Sequence, residues 1–153
     1  SSAGYKQKFP FFVDVVKNPI TQFISNIFPS TFRARVLLQK IFWVQSQVTD
    51  DRVETYAKYF DTPGAHYAIS QCALHLIPED LDIWISKYRN ITIPVLLIWG
   101  QQDSVISTEV GKRFKNDISM STLVIIPNTG HVPHEERPLL TSETIQSFLE
   151  SLE

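Results

Sequence analysis

The chain holds a single cysteine, Cys72, so no intrachain disulfide can form. A lone thiol fits a reducing compartment, which makes a cytoplasmic location the expectation, and Cys72 itself reads as a small buried hydrophobe. Long apolar runs are also missing. The longest, Pro94 to Trp99 and Leu123 to Pro127, are strand-sized, well short of the ~20 residues that a membrane span requires, so no membrane association is expected. Charge of one sign is missing too: a net charge of −2 and a pI near 6.1 leave no electrostatic footprint for nucleic acid or an anionic membrane. The start, Ser1-Ser2-Ala3-Gly4-Tyr5-Lys6, has neither Met nor a basic segment followed by an apolar one. It is therefore read as the continuation of a longer chain rather than as a signal peptide. No internal repeat or low-complexity tract stands out.

What is present belongs to a globular protein: 43% hydrophobic and 12% aromatic residues with 20% charged, in 17.6 kDa, which suffices for one ordinary core. Apolar residues at 12, 15, 16, 20, 23, 24 and 27 recur at helical spacing and are interrupted near Pro19, which predicts two short helices. After the Pro29-Ser30 turn, Phe32 to Val48 continues helical, with Ala34, Leu37, Leu38, Ile41 and Val44 or Val48 on one face. Thr49 or Asp50 caps a further helix that bears Val53, Tyr56, Ala57 and Phe60 and stops before Pro63-Gly64. Ala65, Ala68, Ile69, Cys72, Ala73 and Leu76 form the most regular stripe. Leu81, Trp84, Ile85 and Tyr88 mark a last short helix after Pro78, so residues 9 to 89 carry no strand signal.

Past Ile93 the pattern changes in kind. Pro94-Val95-Leu96-Leu97-Ile98-Trp99, ended by Gly100, is a continuous apolar run of the sort found in a parallel strand buried on both faces. Ser107 caps a helix through Val110 and Phe114, Leu123 to Ile126 forms a second buried strand, and a final helix places Ile145, Phe148, Leu149 and Leu152 on one face. Strand, helix, strand, helix is the grammar of an α/β fold with a parallel sheet and a right-handed crossover. Two strands alone leave an open edge and uncovered faces, so further strands are expected to continue the sheet. Open α/β sheets bind ligands at the carboxyl ends of their strands, and there the two loops read Gly100-Gln101-Gln102-Asp103 and Gly130-His131. Gly100 and Gly130 are read as supplying tight backbone bends. A carboxylate and an imidazole on neighbouring loops suit a pair in which the acid accepts the Nδ1 proton and leaves Nε2 as a base.

These residues carry a resemblance. Ile93 to Ile106, IPVLLIWGQQDSVI, resembles the acid-bearing strand and loop of α/β-hydrolases, P-x-L-x-x-x-G-x-x-D-x-x, at every fixed position. Gly130 to Pro138, GHVPHEERP, resembles the family's G-H-x-x-x-x-E-x-P segment, which carries the histidine, in family order and spacing. The resemblance implies that Asp103 and His131 are the acid and base of a catalytic triad. It implies an α/β fold in which residues 92–153 form the C-terminal part of the sheet, residues 9–91 an inserted helical cap, and residues 1–8 the end of the strand before that cap. It also implies a hydrolase without cofactor or metal that acts on a small molecule. Its partners would be the substrate and the N-terminal remainder of its own chain or a second copy.

One family element is missing. The nucleophile elbow G-x-S-x-G requires two glycines four apart, and glycine occurs only at 4, 64, 100, 111 and 130. The nucleophile is therefore expected upstream of residue 1, as Ser in an esterase or carbon–carbon hydrolase or as Asp in an epoxide hydrolase or dehalogenase, and the fragment alone is expected to be inactive. Phe42, Trp43, Tyr56, Tyr59 and Tyr67 in the cap point to an apolar or aromatic substrate. A non-catalytic binding protein on the same fold is the competing class, since fold does not fix function. A zinc site drawn from His131, His134 and Glu135 or Glu136 is disfavoured, because H-x-x-H is not a common zinc spacing and Pro133 opposes a helix that would align the two rings. His66, His75, His134 and Cys72 are accordingly assigned no chemistry. In the full-length protein His134→Ala should lower turnover less than about tenfold, or ~1.4 kcal/mol. A stoichiometric metal found by elemental analysis and lost in His134→Ala would contradict this.

Overall fold

The computed structural model describes the backbone of residues 1–153 and every side chain except those of Pro19 and Gln22. A helical region comes first: α1 (Phe11–Lys17), α2 (Pro19–Ser25), α3 (Ser30–Ile41), α4 (Asp50–Phe60), α5 (Ala65–Leu74) and α6 (Leu81–Lys87). Next come β1 (Val95–Gly100), α7 (Thr108–Asp117), β2 (Ser121–Ile126), the short α8 (Pro133–Glu136) and α9 (Pro138–Glu150). Among the described residues no helix is long and apolar enough to cross a membrane.

Local chemistry accounts for the boundaries. Thr49 Oγ1 accepts from the Arg52 N–H at the start of α4, and Ser107 Oγ from the Glu109 N–H at the start of α7, so one orphan donor of each helix is satisfied. Pro133 and Pro138 open α8 and α9, where the missing N–H costs nothing. The helix expected over Phe32 to Val48 ends earlier, at Ile41. Phe42 is extended, with φ −92° and ψ 135°, and 45–47 form only a 3-10 turn. The break frees the N–H groups of Trp43 and Val44 for partners outside the helix, and both bind the Glu136 carboxylate.

The sheet is one parallel pair, with Val95 opposite Ser121 and Gly100 opposite Ile126. The expected strand end over 1–8 does not form a ladder. Residues 1–4 meet the free edge of β1 through the Ser1 nitrogen, which donates to Ile98 O at 2.9 Å, and Tyr5 turns into the core, 2% exposed. There Tyr5 stacks edge-on against Phe114 at 4.8 Å, within an apolar cluster that includes Trp99, Ile106 and Ile118. A second cluster joins α3 to α4 through Ala34, Leu38, Ile41, Phe42, Val53 and Ala57. Val105 from the loop after β1 and Val132 from the loop after β2 pack against it, so the helical region and the strand loops share one core.

Two stripes legible in the sequence are not buried. On α5 only Ala73 is buried, and Cys72, expected to be a core residue, is exposed because its face borders an open groove. On α9 the apolar face leaves Ile145 and Leu149 exposed, as is Leu152 just beyond the helix, and the buried residue of α9 is Thr141.

The glycines expected to bend the two loops do something else. Neither Gly100 nor Gly130 has positive φ. The left-handed residue of the second loop is Asn128, φ 52°, a conformation that Asn tolerates better than most side chains. Gly100 and Gly130 are needed for approach: a Cβ on Gly100 would lie 1.9 Å from Gly130 O, and one on Gly130 would lie 2.4 Å from Ile41 O. Gly100→Ala in the full-length protein should therefore destabilise by about 2–3 kcal/mol, by analogy with overpacked cores, as read by urea unfolding. An unchanged midpoint would show that the loops can separate freely.

Candidate active site

Parallel pairing in register brings the loops that follow β1 and β2 to the same end of the sheet, and the close approach at Gly100 and Gly130 locks them together. The Gln101 N–H donates to Ile126 O at 2.9 Å, the Gln102 N–H to Thr129 O at 2.9 Å, and the Thr129 N–H returns to Gln102 Oε1 at 3.0 Å. On this base stand Asp103 and His131. Asp103 Oδ2 accepts from His131 Nδ1 at 2.9 Å, and Oδ1 accepts from the N–H groups of Val105 and Ile106 at 2.8 and 2.9 Å. The acid side chain is fully buried, whereas the imidazole is 26% exposed.

The electrostatics follow from that wrapping. Burial alone would push the Asp103 carboxyl up, but the hydrogen bonds from His131, Ile106 and Ser1, together with the attraction of His131, outweigh it and hold the group below its ordinary value of 3.8. Asp103 is thus an anion at neutral pH and accepts at both oxygens. A carboxylate is acceptor-only, so Nδ1 of His131 must carry a proton, and the neutral ring has its lone pair at Nε2. Asp103 thereby selects the neutral tautomer in which Nε2 is the basic nitrogen.

The helical region reaches the same place. The His131 N–H donates to Ile41 O at 2.8 Å, Ser104 Oγ to Lys40 O at 2.8 Å, and Glu136 Oε1 accepts from the Gly130 N–H at 2.6 Å. Glu136 Oε2 accepts from the N–H groups of Trp43 and Val44, at 2.9 and 3.1 Å, with Glu136 itself only 2% exposed. Glu135 accepts from Tyr56 Oη, and burial together with that bond pushes the phenol up to about 12. The Arg52 guanidinium lies 3.9 Å from Glu135 and 4.8 Å from the centre of the Phe42 ring. The sequence quotes Glu136 as part of a motif without giving it a task. Its signal was an acidic residue five positions after the histidine, and three buried donors explain it only once the fold is known.

The remaining candidates divide. His134 and His75 are exposed, and His66 and Cys72 border a groove that neither Asp103 nor His131 lines. Glu135 and Glu136 spend their oxygens on Tyr56 and on backbone N–H groups rather than facing His131 and His134 as a ligand set. The groove, of about 690 Å³, runs between α1, α2, α3 and α5. Its aromatic walls are Phe11, Phe12, Phe28, Phe32 and Phe60, and it reaches Lys40 beside the acid loop. The aromatic residues singled out from the sequence do not line it: Phe42 is core, Tyr56 holds Glu135, and Trp43, Tyr59 and Tyr67 are exposed.

Residues 8–138 match the family model described as alpha/beta hydrolase fold. The chain is 30% identical over 105 residues to the uncharacterized hydrolase YugF of Bacillus subtilis (strain 168), an alignment covering 69% of this chain and 37% of that protein. It is 24% identical over 160 residues to epoxide hydrolase 4 of Mus musculus, covering 95% of this chain and 40% of that one. In structure it resembles a meta-cleavage product hydrolase of Pseudomonas fluorescens IP01 with a TM-score of 0.76 at 18% identity, over 99% of this chain and 54% of that chain. That likeness shows the fold alone. The chain spans between about a third and about a half of the length of these relatives.

The anionic wrapping of Asp103 predicts a pH dependence. A carboxyl whose pKa is depressed on folding stabilises the folded state above its unfolded value, near 3.8, and loses that contribution as pH falls through the lower folded value. In the full-length protein the stability advantage of wild type over Asp103→Asn should shrink as pH falls below about 4, where the carboxylate takes up its proton. An advantage that stayed constant from about pH 4 down to about pH 1 in urea titrations would contradict the assignment of a depressed acid.

Proposed function

Because this chain belongs to the α/β-hydrolase fold family, we propose that Asp103 and His131 are the acid and base of a nucleophile–histidine–acid triad in a hydrolase of small apolar substrates. The observation that carries this reading is the 2.9 Å bond from His131 Nδ1 to a buried carboxylate whose other oxygen is held by two backbone N–H groups. Such an acid cannot swing away, so the imidazole keeps one tautomer, with Nδ1 as the donor. As the nucleophile attacks, Nε2 takes its proton, Asp103 stabilises the imidazolium that results, and the same proton then passes to the leaving group. The 153 residues contain no G-x-S-x-G segment, and the nucleophile and oxyanion donors are proposed to come from the part of the protein outside them. In this reading residues 9–91 act as a cap on the site, residues 92–153 as the C-terminal part of the core and residues 1–8 as the approach along the β1 edge. The phenylalanine-walled groove supports an apolar substrate, because water leaves such a surface readily.

A second reading has its own support in the similarity to epoxide hydrolase 4 along 95% of this chain. There an aspartate would be the nucleophile, and His131 would activate the water that cleaves the covalent ester. Both readings require His131 as base; they differ in the residue outside these positions. A panel of aryl esters and aryl epoxides assayed on the full-length protein separates them. In either case His131→Ala and Asp103→Asn should each lower kcat by about 10³-fold or more while leaving Tm within a few degrees. Wild-type turnover in His131→Ala would reject the triad, and ligand binding without turnover in the wild type would favour a binding protein.

A further inference from the structure

We infer that Glu136 is the positioning residue of the base: its carboxylate clamps the Gly130–His131 segment to the end of α3, so that the seating of the cap sets the orientation of His131. This rests on the reading of His131 as the general base. Side-chain contact with Asp103 fixes the imidazole at one atom only, Nδ1, and a ring held at one atom still pivots with its backbone. The backbone must therefore be held on its own account. On the side toward the sheet, Gln102 and Thr129 exchange two hydrogen bonds. On the other side, the two N–H groups of the histidine segment go to Glu136 and to the end of α3. The Gly130 N–H donates to Glu136 Oε1 at 2.6 Å and the His131 N–H to Ile41 O at 2.8 Å.

Glu136 closes the loop between these elements. Its second oxygen takes the N–H groups of Trp43 and Val44, the two residues that follow the extended Phe42 where α3 stops. All three partners are donors. A carboxylate, acceptor at both oxygens, answers all three, whereas an amide would turn an NH2 toward at least one N–H. With Glu136 2% exposed, no water replaces a lost bond from bulk solvent, so a donor left without a partner costs its full desolvation. The packing leaves no slack: a Cβ on Gly130 would lie 2.7 Å from both Glu136 Oε1 and the Trp43 nitrogen. The Gln47 side chain donates to the Glu136 carbonyl at 3.2 Å, which ties the end of α8 to the same stretch of the helical region. Displacing the end of α3 would thus pull on the carboxylate, and through Gly130 on the base.

The test compares Glu136→Gln, Glu136→Asp and His131→Ala in the full-length protein, with kcat normalised to folded protein by circular dichroism. Positioning predicts that Glu136→Gln lowers kcat by about tenfold or more while KM changes by less than about threefold, since the base is misaligned but the groove is untouched. The low-field proton resonance of the His131 Nδ1–H should shift or broaden in the same variant. Glu136→Asp, which keeps both acceptors but draws them back by one methylene, should recover part of kcat. A Glu136→Gln protein with lowered Tm but wild-type kcat and an unmoved resonance overturns the inference and leaves Glu136 a purely structural residue. Should Glu136→Gln not fold, Glu136→Asp decides: reduced kcat in a folded protein supports positioning, full kcat overturns it, and failure of both variants to fold overturns it as well. His131→Ala separates the two readings. If it retains wild-type turnover, the triad itself falls; if it is inactive while Glu136→Gln is normal, only the role of Glu136 falls.

Discussion

Everything at the candidate site depends on how closely two backbones approach each other just beyond the ends of β1 and β2. Parallel strands in register deliver their following loops side by side, and here the loops touch at Gly100 and Gly130 with no room for a Cβ on either. That contact lets Gln102 and Thr129 exchange hydrogen bonds and brings Oδ2 of Asp103 within 2.9 Å of Nδ1 of His131. Glycine serves here through its size rather than through access to positive φ. The one left-handed residue in this stretch is Asn128, two positions before Gly130.

The helical region is part of this site rather than a cover laid over it. Three kinds of contact fasten it to the strand loops: backbone bonds to Ile41 O and Lys40 O, carboxylate bonds through Glu135 and Glu136, and apolar packing of Val105 and Val132 against the α3–α4 core. The backbone bonds and those of Glu136 lie at the end of α3, and that of Glu135 reaches α4. The helix stops at Ile41, so its last carbonyls and the N–H groups just beyond it are free of intrahelical partners. An ordinary helix terminus thereby supplies both an acceptor for the histidine loop and donors for a buried acid.

Much of the architecture was legible beforehand, for identifiable reasons. The runs 94–99 and 123–126 are continuously apolar because a parallel strand is covered on both faces, and the capping hydroxyls of Thr49 and Ser107 act within one helical turn. Burial was misread at Cys72. It was expected in the core, and it lines a groove with Ile69 and with Leu76 just beyond α5; Ile145 and Leu149 on α9 are exposed as well. Periodicity reports which face of a helix is apolar. It says nothing of what, if anything, lies against that face. The same limit applies to the aromatic residues: Phe42, Tyr56 and Tyr67 are alike in sequence, and only packing makes one core, one a hydrogen-bond donor to Glu135 and one a surface ring.

By itself the sequence determined the order of elements, the family and the two residues that meet, because strand runs, capping residues and the segments around Asp103 and His131 are written in short stretches of chain. Tertiary structure alone decided the role of Glu136, the stop of α3 at Ile41, the close-approach task of Gly100 and Gly130, and the exposure of Cys72. The division has one physical cause. A hydroxyl that caps its own helix finds its partner within a turn. The oxygens of Glu136 find theirs at Trp43 and Val44, about ninety positions away, and no local pattern encodes a pairing that exists only after the chain has closed on itself.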